Sequence, residues 1–215
     1  TAEPLICRSL IFDAPQAIVS VGTNSVEGGA IYTDDQFTIE LWAWFDSSVA
    51  SNKYTLVSMG DPEAWWLGTE SGVITFRSGS DELVTDIPAC RTAADCWHHV
   101  GVVVDRSGDQ LRMYIDGERV AVKEDPQPMV QPTDVESLRF GRSVGVPFSW
   151  PTSIDEVRFG HDVLLSGVDL DLGPERPIDD WIGVWRFNDD LVNEVTGQAA
   201  AGPEDGLTFS DSCPF

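Results

Sequence analysis

Eight tryptophans among 215 residues are the side chains with the most to offer a ligand. An indole presents a broad apolar face that can stack on the apolar face of a sugar ring, while its N–H remains free to donate a hydrogen bond. Trp65, Trp66, Trp150 and Trp181 border turn signals. Loops are where such folds carry their binding residues, so these four are the candidate ligand contacts. Trp65 and Trp66 are adjacent, and neighbours on a strand face opposite ways, so one can point outward while the other packs. Trp42 and Trp44 share one side of a strand and read either as packing or as a sugar-stacking surface.

Other reactive patterns are weaker. Gly141-Arg142-Ser143-Val144-Gly145 fits G-x-S-x-G, but that motif works where a strand turns sharply into a helix. Val146-Pro147 follows and no helix is readable, so the run reads as an ordinary loop. His98 and His99 are adjacent on a strand and cannot easily share a ligand, and His161 is isolated. None has zinc-ligand spacing or a partner that would make it a general base.

Thirteen basic residues against 36 acidic ones give a formal charge of −23. That field repels phosphate backbones and anionic lipid surfaces, which argues against nucleic-acid binding. No apolar run is long enough to cross a membrane as a helix. The start at Thr1 lacks an apolar leader, so the expectation is a signal segment removed or left out. The acidity reads as a solubilising surface, with some carboxylates available to calcium. Four cysteines allow three connectivities. Cys90 and Cys96 enclose a short polar loop, and Cys7 and Cys213 lie near the two ends, so Cys7–Cys213 with Cys90–Cys96 is the favoured pairing. Paired cysteines imply an oxidising, extracytoplasmic setting, secreted or at the cell surface.

The elements that must position these residues are strands. From Cys96 to Val120, Val100, Val102 and Val104 alternate with other residues, a polar turn follows at 106–109, and Leu111, Met113 and Ile115 alternate in turn. Asp116-Gly117 is a strong hairpin signal, because a type I′ turn needs positive φ at both central residues. Phe37 to Phe45 is equally regular, with Phe37, Ile39, Leu41, Ala43 and Phe45 on one face and Thr38, Glu40, Trp42 and Trp44 on the other. Further strands are expected at 9–13, 16–21, 54–59, 65–69, 73–77, 81–87, 137–141, 153–159 and 181–188. The Pro-rich 123–134 stretch is a connection. Turn signals every 8–12 residues favour a β-sandwich, as one domain over residues 1–215.

Several of these runs carry a resemblance. Trp97-His98-His99-Val100, Tyr114-Ile115-Asp116-Gly117, Phe37-Thr38-Ile39-Glu40 with Trp42, and Ile154-Asp155-Glu156-Val157-Arg158 resemble the LamG-like jelly-roll family of the concanavalin A-like lectin/glucanase superfamily. The resemblance covers most of the chain and implies an all-β, antiparallel two-sheet sandwich of jelly-roll type. It also implies a structural calcium, placed on Asp155 and Asp13. Related β-glucanases carry a Glu-x-Asp-x-x-Glu strand, but here Trp42 stands where the Asp would follow Glu40, and the second Glu is missing. The Arg, Gln-x-His and Tyr motifs of alginate-lyase relatives are missing too, so no enzyme is expected. The expected role is a non-catalytic extracellular recognition module for carbohydrate or a glycoprotein. The alternative is a structural or adhesive domain with a protein partner.

Overall fold

The computed structural model describes residues 8–12, 18–22, 36–45, 53–61, 63–90, 96–130, 134–142, 153–160, 181–200, 207–211 and 214. These residues hold fourteen strands and no α-helix. They are β1 (Ser9–Phe12), β2 (Val19–Val21), β3 (Gln36–Trp44), β4 (Tyr54–Asp61), β5 (Trp65–Glu70), β6 (Val73–Ser78), β7 (Asp81–Asp86) and β8 (Trp97–Asp105). The series continues with β9 (Gln110–Ile115), β10 (Glu118–Glu124), β11 (Asp134–Phe140), β12 (Ser153–Gly160), β13 (Gly183–Trp185) and β14 (Leu207–Ser210).

Two antiparallel sheets form a sandwich. The larger runs β10-β9-β8-β3-β12-β1-β14, with β13 also on β12, and the smaller runs β2-β11-β4-β5-β6-β7. The period-two alternation of β3 decides which side faces the core. Phe37, Ile39, Leu41, Ala43 and Phe45 are buried there, opposite Val100, Val102 and Val104 of β8. Phe37, Trp65 and Phe159 bring rings from both sheets to within 5.3–6.1 Å of one another, close enough for ring packing to add to the area buried.

The turns follow the sequence chemistry. Asp116 and Gly117 have φ of 51° and 80°, the pair of left-handed residues that a tight hairpin between β9 and β10 demands. Gly68 serves a close approach. A Cβ there would collide with the Tyr54 carbonyl oxygen and the Trp66 ring, so the glycine lets the indole lie flat on the sheet. The expected strand over 181–188 is shorter, because only Gly183–Trp185 pairs with β12. Asn193 ends its regularity: the side-chain oxygen accepts hydrogen bonds from the backbone N–H groups of Val184 and Val195.

Cys90 and Cys96 form a disulfide just before β8. Cys7 and Cys213 lie outside the described residues. No helix among the described residues is long and apolar enough to cross a membrane.

Candidate functional site

Because β3 and β8 are antiparallel and in register, side chains opposite one another share a face. Trp44 sits opposite Trp97, and Trp42 opposite His99. The result is a two-by-two block of aromatic rings on the outer face of the larger sheet, at the end of β3 nearest the disulfide. Trp42 and Trp44 keep part of their surface open, whereas Trp97 and His99 are buried. The Trp42 and His99 rings meet edge to face at 5.4 Å. On the other side, β12 places Asp155 opposite Trp42.

A chain of charges lies beneath and beside this block. Arg158 Nη1 donates to Glu40 Oε1 at 3.2 Å, and Arg158 Nη2 donates to Glu156 Oε2 at 2.9 Å. His99 Nε2 lies 3.5 Å from Glu40 Oε2. Arg186 continues the chain, 3.3 Å from Glu156 and 2.9 Å from Glu194, where it reaches the surface. Glu40 is 0% and Arg158 3% exposed. Burial pushes the Glu156 carboxyl above the ordinary carboxylate range, against the opposing charges of Arg158 and Arg186.

This arrangement depends on an irregularity in β12. Pairing with β3 slips between Asp155 and Arg158, and Glu156 takes a φ of 49°. A bulge of this kind re-aims side chains, and here consecutive acids and an arginine all end up buried. Asp155 is pushed up to about 8, first by burial and then by Glu156, against the Glu156 N–H and the charges of Arg158 and Arg186.

The turn-bordering tryptophans need correcting as open stacking platforms. Trp65 is 1% exposed and belongs to the core, in contact with Phe37 and Phe159. Trp66 does face outward, as its parity with Trp65 requires. It is nevertheless 0% exposed, because it lies flat over Gly68 beneath Lys53 and Arg77 and donates Nε1–H to Thr55 Oγ1 at 2.8 Å. Trp181 is buried as well. Trp150 and Asp13 lie outside the described residues. Residues 143–145 of the G-x-S-x-G run and His161 do too.

His98 and His99 face opposite sides, as their adjacency implies. His98 Nδ1 lies 2.8 Å from Asp116 Oδ2, and Asp116 Oδ1 accepts the His99 backbone N–H at 2.9 Å. Burial alone would raise the Asp116 carboxyl, but these hydrogen bonds and the histidine charges outweigh it and hold the group below 3.8. Among the described residues, no three His, Cys, Asp or Glu side chains converge as a metal site.

The architecture is an all-β, antiparallel two-sheet sandwich with an aromatic, partly open face on its larger sheet. A laminin-G-type family model, described as the concanavalin A-like lectin/glucanases superfamily, matches residues 20–166. The chain belongs to that superfamily. Comparison with curated protein sequences gives no match. Among solved structures, a protein from Bacteroides ovatus ATCC 8483, provisionally named as carbohydrate-binding, aligns over 97% of this chain and 61% of its own, with a TM-score of 0.70 at 14% identity. The binding domain of botulinum neurotoxin serotype D aligns over 74% of this chain and 40% of its own, with a TM-score of 0.56 at 15% identity. The CBM40 domain of a Ruminococcus gnavus IT-sialidase, bound to α2,3-sialyllactose, aligns over 74% and 94%, with a TM-score of 0.52 at 18% identity. At such identities the likeness is one of fold. The chain spans about three fifths of the first of these structures.

Proposed function

We propose that this chain is a non-catalytic recognition module that binds carbohydrate or a glycoconjugate on the outer face of its larger sheet. The observation that carries the reading is the aromatic block. Trp42 and Trp44 are partly exposed two positions apart on β3, beside the buried Trp97 and His99. Successive same-face positions on a strand lie about 6.8 Å apart, a spacing that brings both indoles within reach of one oligosaccharide. The sialyllactose bound by the Ruminococcus gnavus domain and the name of the Bacteroides ovatus protein support a saccharide as the partner.

A non-catalytic role is supported by the state of the acids on this face. A glycosidase needs one carboxyl able to give up a proton and a second facing it across an open cleft. Glu40 and Glu156 are both buried and both held by Arg158. An extracytoplasmic location is supported by the Cys90–Cys96 disulfide. Pairing of β1 with β14, Ser9 opposite Ser210, supports one domain across residues 1–215 and the second bridge, Cys7–Cys213. The reading retains calcium on Asp155 and Asp13, an ion that would favour the charged form of the buried Asp155 carboxyl.

The test is a glycan array on the purified chain, run with calcium and again with chelator. Trp42→Ala and Trp44→Ala are expected to weaken any hit about 30-fold each, the effect of truncating a central aromatic anchor. Loss with chelator alone would make the metal part of the site. Silence across the array from a folded chain would overturn the carbohydrate reading in favour of a structural or protein-binding domain.

A further inference from the structure

β10 ends the larger sheet, pairing with β9 on one side and with no described strand on the other. Alternate N–H and C=O groups along its free edge therefore face away from the ladder. The strands at the other three sheet ends, β14, β2 and β7, span four, three and six residues, against seven for β10. The side chains of β10 are open as well. Every residue from Glu118 to Glu124 is exposed except Ala121, which is half-buried. Val120 and Val122 are 41% and 45% exposed, two of the four exposed large apolar side chains among the described residues.

A long edge strand is a template for another chain, and natural edges are defended by charges or bulges. β10 has both defences: its pairing with β9 slips between Arg119 and Ala121, and charged residues flank the central valines. The arrangement of those charges selects among occupants. Glu118-Arg119-Val120-Ala121-Val122-Lys123-Glu124 carries the same sequence of charges in either direction. A second copy pairing antiparallel about Ala121 sets Arg119 against Lys123 and Glu118 against Glu124, each pair made twice. Like charges directly opposite are destabilising, and two molecules of net charge −23 repel besides. The full register thus disfavours a second copy and favours a strand whose charges run the other way. Beside the first half of β10 lies a cavity of about 400 Å³, lined in part by Pro88, Ile115, Glu118 and Val120. It leaves room for an apolar side chain of an incoming strand.

We propose that the free edge of β10 takes an extended segment of a partner protein as an added strand. The segment places acids opposite Arg119 and Lys123, bases opposite Glu118 and Glu124, and apolar residues opposite Val120 and Val122. Main-chain hydrogen bonds supply the affinity of such an addition, and the alternating side chains its selectivity. Two strands separate β10 from β3, so this edge is distinct from the aromatic block and does not depend on the carbohydrate reading.

The test is titration of the isotope-labelled full chain with the end-capped peptide Lys-Glu-Val-Thr-Val-Glu-Lys, read by amide NMR shifts and by calorimetry. The peptide has no net charge, so the acidity of the chain does not by itself attract it. One control is Glu-Lys-Val-Thr-Val-Lys-Glu, with the charges exchanged. The other is the first peptide N-methylated at its three central residues, which keeps the side chains and removes backbone donors from both edges. The first peptide is expected to shift the amides of residues 118–124 and to bind about tenfold more tightly than the charge-exchanged one, the sum of several modest cross-strand pairs. The N-methylated peptide should not bind. Glu118→Lys, Arg119→Glu, Lys123→Glu and Glu124→Lys made together should reverse the preference. Equal binding of the two charge orders, binding that survives N-methylation, or no binding at millimolar peptide would overturn the proposal. Self-association of the chain through residues 118–124 would overturn it too, by making a second copy the occupant.

Discussion

Arg158 and Arg77 each sit between two glutamates, on opposite sheets, and the two trios teach different lessons. On the larger sheet, Arg158 joins Glu40 and Glu156, with side-chain exposures of 4%, 0% and 6%. On the smaller sheet, Arg77 joins Glu70 and Glu82, with exposures of 38%, 32% and 43%. The contacts are similar in length, yet their energetics differ. Buried charges interact strongly but have lost their hydration, so each depends on the others remaining. Exposed charges keep their water, and the pairing adds little. The first trio stands or falls together, and the second contributes little to stability.

The largest effect should come from breaking the buried trio. Arg158→Ala leaves Glu40 and Glu156 without their shared cation and is expected to cost about 3–5 kcal/mol, measured by urea unfolding. A loss below about 1 kcal/mol would show that the two faces do not differ as described. Arg77→Ala is the matched change on the other sheet. It should cost under about 1 kcal/mol, with much of that loss screened by salt.

A smaller effect is expected at Asp116, half-exposed and bonded to His98 and the His99 N–H. Asp116→Asn retains a residue that accepts the left-handed turn and removes only the charge. Discounted for exposure, the cost is about 0.5–1 kcal/mol at neutral pH. The carboxyl is held below its ordinary 3.8 in the folded chain, so the unfolded chain binds the proton first. The wild-type advantage should therefore be complete above about pH 5 and vanish as pH falls through the depressed folded value. An advantage that persists unchanged into strong acid would show that the charge is not what Asp116 contributes.

Much of the architecture could be read directly from residue types. Alternation in 37–45 and 100–104 named the core face correctly, because a period of two leaves a half-buried strand no other choice. The Asp116-Gly117 turn was legible for a similar reason, since few residues tolerate positive φ. The aromatic site was only half legible. That Trp42 and Trp44 share a face follows from their spacing, but that Trp97 and His99 complete the block depends on the pairing of β3 with β8, which joins residues 53 to 57 positions apart. Exposure was the point at which turn proximity misled. Trp65 and Trp66 start a strand that crosses the middle of its sheet, so one is buried by the core and the other by the side chains of Lys53 and Arg77.

By itself, the sequence determined most of the strands, the core faces of the regular ones, the tight turns, the acidic field and the family, because each of these depends on local stereochemistry or on summed composition. Only the tertiary structure decided which charges are buried, which indoles remain open, and that Glu40 meets Arg158 across 118 residues of chain. Those outcomes depend on register between distant strands and on a bulge in β12, and burial is a property of neighbours that no residue carries alone.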